Sequence, residues 1–325
     1  MALLQLLLAM GLVMMQLLLP GAAAAAGKVP AVIVFGDSTA DTGNNNFIQT
    51  LFRGNYPPYG RDFAGGVATG RLSNGRLAAD FVSEALGLPP AVPAYLDPAH
   101  GIHRLASGVS FASAGSGLDD VTAQILSAVT LPRQIHHFKE YKARLRRAKG
   151  AAAVNHTVAH ALYIFSDWRQ RLPGQLPPYE AYLVRAAEAA VRAVHGLGAR
   201  RVRLLGLPPL GCLPLLRTLN LDGPGSCSRR HNMVAMRFNR RLRALAWKLN
   251  FEQPGAQVAY VDQYRLLEAM IDRPWEYGDA LTCDNPDKHV FFDAVHPSER
   301  AYEMVAKAIL NAAPHMLNKS ETGRK

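Results

Sequence analysis

Residues 32–46 read Val-Ile-Val-Phe-Gly-Asp-Ser-Thr-Ala-Asp-Thr-Gly-Asn-Asn-Asn. Four β-branched and aromatic residues lead directly into Gly36, which is typical of a buried parallel strand that ends in a tight turn. In open α/β sheets, ligand-binding and catalytic groups lie at such carboxyl ends of strands. The stretch therefore predicts a parallel sheet with a polar site at Asp37 and Ser38.

The rest of the chain alternates short apolar runs with amphipathic stretches. The strand-like runs lie at 31–35, 108–112, 161–165, 201–206 and 257–261. The helical patterns lie at 76–87, 132–148, 178–197, 229–250 and 298–314. This alternation predicts an α/β fold in which helices cover both faces of a parallel sheet. Composition shows no break along the chain, so we expect residues 27–325 to form a single domain.

The amino terminus has the pattern of a targeting segment. Residues 2–19 carry no charge, and Pro20, Gly21 and five alanines follow them. An apolar segment followed by small residues is typical of a secretory signal peptide, which we place at residues 1–26. The absence of Lys or Arg before it leaves an uncleaved membrane anchor as the alternative. No later stretch is long and apolar enough to span a bilayer, so we expect a secreted, extracellular protein.

Secretion changes what the three cysteines predict. Cys212 and Cys227 flank a loop that contains Pro and Gly, and an oxidising compartment would allow them to form a disulfide. Cys283 is then left over. Asn155 and Asn318 each begin an Asn-x-Ser/Thr sequence, so both are candidate N-glycosylation sites.

The chain is basic, with a formal net charge of +11 and a pI of about 9.8. Its Arg and Lys residues concentrate at 133–149 and 229–243. In an intracellular protein such runs would suggest nucleic acid, which a secreted protein rarely meets, so we expect no nucleic-acid partner. Apolar residues interrupt both runs at helical spacing, which favours solvated helix faces. Ionic contact with an acidic wall polymer or an anionic membrane surface is the alternative.

A serine, an aspartate and a histidine form the candidate site. Asp293 and His296 lie three residues apart in Phe-Phe-Asp-Ala-Val-His-Pro at 291–297. At that spacing the carboxylate can hold the imidazole while its second nitrogen faces Ser38, as nucleophilic acyl transfer requires. Each motif is weak alone, because Ser38 could instead cap a helix and Asp293 a surface turn. The chain has no G-x-S-x-G elbow, P-loop, G-x-G-x-x-G or H-E-x-x-H motif.

Four ordered blocks give the chain its resemblance to a known family. They are Phe-Gly-Asp-Ser at 35–38 with Asp41, Gly43 and the asparagines at 44–46, Gly-Val-Ser-Phe-Ala-Ser-Ala-Gly-Ser-Gly at 108–117, Gly-Leu-Pro-Pro-Leu-Gly-Cys-Leu-Pro at 206–214, and Phe-Asp-Ala-Val-His-Pro at 292–297. Together they resemble the plant branch of the GDSL-type esterase/lipase family, also called SGNH hydrolases.

The resemblance implies a doubly wound parallel sheet in a three-layer α/β/α sandwich. It also implies hydrolysis of esters of lipids or small acylated molecules, with neither metal nor cofactor. Ser38 would be the nucleophile, His296 the general base and acid, and Asp293 its orienting carboxylate. The oxyanion hole would use the backbone N–H groups of Ser38 and Gly115.

The chain departs from the family pattern in two places. The family carries Gly-x-Asn-Asp after its third core strand, and that Asn side chain is a third oxyanion donor. Here no Asn lies between Asn155 and Asn220; Asp167 is the candidate remnant of the motif, and Gln170 the candidate substitute donor. A cysteine-bearing segment before the last block is also shortened, which would leave Cys283 without a partner.

Two hypotheses follow from these motifs. The first is a secreted serine ester hydrolase with an impaired oxyanion hole. The alternative is a catalytically weak or inactive relative that binds acylated ligands or acidic wall polymer.

Overall fold

The computed structural model of the protein describes residues 28–166, 177–220, 223, 225–273, 276 and 289–314. The predicted signal peptide at residues 1–26 lies outside these ranges. So do Asp167, Gln170, Cys283 and Asn318.

Five parallel strands form one sheet in the order β2-β1-β3-β4-β5. The strands are β1 (Val32–Gly36), β2 (Gly108–Ser110), β3 (Leu162–Ser166), β4 (Arg201–Leu205) and β5 (Gln257–Val261). All five residues of β1 and of β3 are buried, which is why both read as continuous apolar runs and not as alternating ones. The sheet thus confirms the predicted α/β fold.

Helices form a layer on each face of this sheet. In chain order the α-helices of the described residues are α1 (Ala78–Ala85), α2 (Ile102–Leu105), α3 (Asp120–Ile125), α4 (Leu131–Lys149), α5 (Ala151–His160), α6 (Pro177–Gly196), α7 (Pro214–Thr218), α8 (Arg229–Glu252), α9 (Gln263–Asp272) and α10 (Glu299–Asn311). In one layer α10 packs against α1 and α9; in the other, α4 contacts α2, α5 and α6, and α6 contacts α8. None of these helices is long and apolar enough to cross a membrane.

Aromatic side chains from the central strands and α4 form the middle of the core. The ring of Phe35 stacks on Phe111 at 5.4 Å and on Phe165 at 4.9 Å between centroids, and Phe138 meets it edge-on at 5.8 Å. All four side chains are at most 3% exposed. Such pairs favour particular ring geometries, so they fix α4 against β1 and its neighbours in one arrangement.

The strand order places a crevice beside β1. From β1 the chain adds β2 on one side, then returns to add β3, β4 and β5 on the other. At such a switch in strand order, the connections leave the carboxyl edge of the sheet in opposite directions, and a crevice opens between them. Ser38 lies two residues after the end of β1, so it lies at this crevice.

Candidate active site

The turn that carries Ser38 depends on a glycine. Gly36 has φ of +154°, and a Cβ there would collide with the carbonyl oxygen of Ser166, which pairs with it across the sheet. The N–H of Asp37 donates to that same Ser166 oxygen at 2.9 Å. Because only glycine permits this close approach, the chain can leave β1 sharply and place Ser38 in the lining of a cavity.

Asp293 and His296 form the hydrogen-bonded pair that their spacing suggests. His296 Nδ1 lies 2.7 Å from Asp293 Oδ2, while Asp293 Oδ1 accepts the backbone N–H groups of Val295 and His296, each at 2.7 Å. The loop closes through an antiparallel bridge between Phe291 and Pro297. The carboxylate is therefore held from both sides, and it holds the imidazole in turn.

Electrostatics favour a charged Asp293. Burial alone would raise the pKa of its carboxyl, but the hydrogen bond and charge of His296, together with the two backbone N–H groups, lower that pKa to about 2. A carboxylate that stays ionised accepts the Nδ1–H of His296, which leaves the lone pair on Nε2. His296 Nε2 is buried and has no hydrogen-bond partner among the described residues.

Ser38 and the His296 loop border the same cavity. Ser38 lines it from the end of β1, and Val295 and Pro297, the neighbours of His296, line it from the last loop. The structure shows no hydrogen bond between the Ser38 hydroxyl and His296 Nε2. Catalytic hydrogen bonds are often long in ligand-free enzymes, and they shorten when substrate binds.

The two proposed oxyanion donors are available to donate hydrogen bonds to a ligand. Within the described ranges, neither the N–H of Ser38 nor that of Gly115 donates to an acceptor in the protein. Gly115 has φ of +92°, a left-handed conformation that suits glycine, and a Cβ there would lie 3.3 Å from Ala128 Cβ and 3.4 Å from Leu126 Cβ. An N–H without a protein acceptor is available to stabilise negative charge that develops on a substrate.

Asp41 connects the serine turn to the loop that carries Gly115. One carboxylate oxygen accepts the N–H groups of Gly43 and Asn44, and the other accepts the N–H of Ala114 at 3.0 Å. Burial raises the pKa of the Asp41 carboxyl to about 6, although these backbone hydrogen bonds oppose the shift.

Two asparagines join the same two segments. Asn44 donates to the carbonyl oxygens of Ser110 and Ala112, and Asn45 to that of Ala114. These contacts explain why the first sequence block carries an Asp and an Asn run.

Gln134, on α4, was missed by the sequence analysis. Its amide oxygen accepts the N–H of Gly36 at 2.9 Å. Its amide nitrogen donates to Gly36 O at 2.9 Å, to the Ser116 hydroxyl at 3.0 Å and to Val129 O at 3.1 Å. One fully buried side chain thus holds the nucleophile turn and the oxyanion loop together. A lone Gln in a helical pattern gives no sequence signal of such a role.

Tyr59 was also missed. Its hydroxyl donates to Asp293 Oδ2 at 3.0 Å, the same oxygen that holds His296, and its ring packs against Phe292. Burial, and then the charge of Asp293, raise the pKa of this hydroxyl well above its ordinary value, so it remains a donor. The side chain comes from the long loop between β1 and α1, 234 residues away along the chain.

The cavity itself is largely apolar and has a volume of about 370 Å³. Its polar lining includes the serine turn (Asp37, Ser38 and Thr39) together with Thr122, Ser166, Gln263 and Tyr302. The apolar walls come from the loop after β4, from α7 and from the helix layer beneath, including Leu207, Leu210, Leu213, Leu216, Leu267 and Val305. A largely apolar cavity with a few polar groups is typical of a site that binds an apolar ligand and orients it through those groups.

Three of the remaining predicted sites, Cys212, Cys227 and Asn155, lie among the described residues. The structure joins Cys212 to Cys227 in a disulfide that closes a loop of 15 residues. Asn155 is exposed on α5. Among the described residues, no group of three or more His, Cys, Asp or Glu side chains could hold a metal ion.

Both basic runs lie on helices. The run at 133–149 belongs to α4 and the run at 229–243 to α8, and each helix buries one apolar face. On α8, Arg237 pairs with Glu180 at 2.5 Å and Arg243 with Asp262 at 2.8 Å. Each helix thus buries an apolar face and exposes arginines, as we expect if the basic runs are solvated helix faces.

Comparison with known proteins defines the family. A family model described as GDSL-like Lipase/Acylhydrolase matches residues 32–309. GDSL esterase/lipase At2g04570 of Arabidopsis thaliana is 40% identical over 328 residues, covering 90% of this chain and 94% of the relative. GDSL esterase/lipase At2g42990 of the same plant is 42% identical over 317 residues, covering 87% and 91%. The chain belongs to the GDSL-like lipase/acylhydrolase family, and the resemblance inferred from four sequence blocks is confirmed.

Proposed function

We propose that this protein is a carboxylic ester hydrolase in which Ser38, His296 and Asp293 carry the reaction. Family membership supports the reaction class. One observation carries the residue assignment: Asp293 orients His296 so that a buried, unpartnered Nε2 remains beside the cavity that Ser38 lines.

The geometry supports two half-reactions. The Ser38 hydroxyl oxygen attacks the ester carbonyl carbon while His296 Nε2 takes its proton, and the carbonyl oxygen becomes an oxyanion facing the N–H groups of Ser38 and Gly115. His296 then gives the proton to the leaving alcohol oxygen as the acyl–oxygen bond breaks. Water attacks the acyl-serine in the same manner, so the acid leaves and the enzyme returns to its starting state.

The test is a serine-directed phosphonate combined with a substitution. Wild-type protein should be labelled once, at Ser38, and should hydrolyse a soluble aryl acetate. Ser38→Ala should lose both properties and keep its melting temperature. An unchanged hydrolysis rate in purified Ser38→Ala would reject the assignment. If the phosphonate does not label wild-type protein, the triad is not assembled and a ligand-binding relative becomes the better explanation.

We further propose that the oxyanion hole has only two backbone donors. No Asn lies between Asn155 and Asn220, so the side-chain donor that the family places after its third strand is missing from the sequence. Loss of one such donor typically costs on the order of 10²–10³ in kcat. Insertion of a family-length Gly-x-Asn-Asp loop after Ser166 should raise kcat by about 10²-fold with little change in KM. A chain that already matches full-length relatives in kcat would show that another group serves as the third donor.

Secretion and ionic adhesion complete the proposal. The apolar segment before residue 27 supports export, and amino-terminal sequencing of protein from plant culture medium tests it.

The exposed arginines of α8 support contact with acidic wall polymer or an anionic membrane surface. Retention on a polyuronate column should then fall steeply with salt, because screening weakens exposed charge pairs.

A further inference from the structure

Six exposed apolar side chains lie on segments that contribute to the cavity or adjoin its lining residues. Leu51 is 96% exposed, Ile125 67% and Leu219 62%, and Val121, Tyr182 and Leu215 are also exposed. We call these six residues the apolar rim. Single exposed apolar residues are normal on a protein surface, but a cluster beside a ligand cavity usually marks an interaction site.

The topology places all six rim residues at one edge of the sheet. Leu51 follows β1, Val121 and Ile125 on α3 follow β2, and Tyr182 lies near the start of α6 after β3. Leu215 and Leu219 lie on and directly after α7, which follows β4. Because the strands are parallel, segments that follow them closely share the carboxyl edge, where Ser38 also lies.

Hydrogen bonds join neighbouring rim segments to one another and to the site. The Thr50 hydroxyl donates to Leu126 O at 3.0 Å, which connects the Leu51 loop to the end of α3. The Tyr179 hydroxyl donates to Asp119 Oδ2 at 2.9 Å, which connects the start of α6 to the start of α3. On the other side, Leu215 N–H donates to Ala294 O at 3.0 Å, inside the Asp293–His296 loop.

The rim is continuous with the cavity wall. Thr122 and Leu126 line the cavity from the α3 side, and Leu215 lines it from the α7 side while remaining exposed. The apolar surface therefore extends from solvent, across the rim, to the interior that begins at Ser38.

We propose that the apolar rim docks this enzyme on the surface of neutral acyl lipid, so that an acyl chain enters the cavity directly from the lipid phase. The proposal rests on the proposed ester hydrolase function. The nature of the bound surface follows from the continuity of the rim with the cavity wall. A surface that contacts the rim must supply an apolar chain with an ester group to Ser38. The attraction is burial of apolar side chains, so it needs no charge on the lipid.

The α8 helix offers a matched control. Phe251 is 82% exposed on its last turn, and α8 leads back to the start of β5, so Phe251 lies toward the opposite edge of the sheet from the rim. A substitution there removes as much exposed apolar surface as one in the rim, without touching the cavity mouth.

The experiment measures flotation of full-length protein with a triolein emulsion. Each variant is made in the Ser38→Ala background, so that the lipid is not consumed. Leu51→Ser, Ile125→Ser and Leu219→Ser should each weaken partition onto the emulsion by about five- to tenfold, since each removes most of an apolar side chain that the lipid would bury. Phe251→Ser should leave partition within about twofold of the parent. Melting temperatures should be unchanged in all four, because the substituted side chains are exposed.

A second measurement separates docking from catalysis. With Ser38 restored, the rim variants should hydrolyse soluble aryl acetate at the wild-type rate and emulsified triolein at a rate about five- to tenfold lower. Equal flotation of rim variants and parent, or an equal loss in Phe251→Ser, would overturn the proposal. Binding only to vesicles of anionic lipid, abolished by salt, would also overturn it in favour of the basic helices. If flotation depends on the rim but no ester is hydrolysed, docking stands and the proposed function fails.

Discussion

Replacement of Gln134 by methionine removes the side chain that joins the nucleophile turn to the oxyanion loop. Methionine keeps the length and volume of Gln but offers no amide. Gly36 O keeps the N–H of Ser113 as a donor at 3.0 Å, whereas within the described ranges the Gly36 N–H, the Ser116 hydroxyl and Val129 O have no partner besides Gln134. Each buried polar group left without a partner costs about 1–3 kcal/mol, so with three such groups we expect a loss of about 3 kcal/mol or more in the free energy of unfolding.

The same change should lower activity beyond its effect on stability. Without the amide, the turn before Ser38 and the loop that carries Gly115 are no longer held at a fixed separation, so the two oxyanion donors lose their alignment. Errors of about 1 Å in such a site cost about 10²-fold in rate.

Urea unfolding and kcat on a soluble aryl acetate measure the two effects of Gln134→Met. His136→Ala is the matched control, because His136 lies on the exposed side of α4, where its ion-pair partner is Glu140. A Gln134→Met protein within about 0.5 kcal/mol of wild type, with unchanged kcat, would refute the reasoning.

Four further predictions concern the triad, the oxyanion hole and the disulfide. Tyr59→Phe should lower kcat by about 10- to 100-fold while the ring keeps its packing, since a hydrogen bond to a charged group contributes about 1.5–3 kcal/mol; steady-state kinetics with a melting curve checks this. Gly115→Val should lower kcat on aryl acetate through about 1–3 kcal/mol of strain at positive φ, and a wild-type kcat would exclude this loop from the hole. The folded protein lowers the pKa of the Asp293 carboxyl from 3.8 to about 2, so this carboxylate should add about 2 kcal/mol to the free energy of unfolding above pH 3.8. That contribution should be lost as the pH falls toward 2. The difference in unfolding free energy between wild type and Asp293→Asn should therefore shrink over the same pH window. Joint Cys212→Ser and Cys227→Ser substitution should cost about 3 kcal/mol for a loop of 15 residues, and non-reducing peptide mapping should show the bond in the parent.

The positions of the strands were predictable because a strand that is buried on both faces of the sheet appears in the sequence as a continuous apolar run. The five apolar runs correspond to β1 to β5 within two residues at each end, and the long amphipathic helices α4, α6 and α8 were predicted within about the same margin. Two helices of ten residues were not predicted, α5 and α9. In α5 the run Ala-Ala-Ala-Val-Asn-His-Thr-Val buries only two valines, so its periodicity is too weak to read against its many exposed positions.

In the candidate site, too, some residues were predictable from the sequence and others were not. Ser38, Asp293 and His296 were identifiable because a nucleophile and its base must be of particular residue types, in an order that the family motifs repeat. Gln134 and Tyr59 were not, because many Gln and Tyr residues could serve equally well in helices and loops. Their roles exist only once the chain is folded, when a side chain on α4 reaches Gly36 and one in the β1–α1 loop reaches Asp293.

By itself, then, the sequence determined the parallel α/β class, the family and the residue types of the triad, because these depend on local burial and on chemistry that few side chains can perform. The tertiary structure alone decided which groups hold the triad, where the apolar cavity lies and which exposed side chains share its edge. Those features join segments as far apart as Tyr59 and Asp293, or Leu51 and Leu219, and no local pattern records a distance between such segments. Only the strand order and the packing of the two helix layers set that distance.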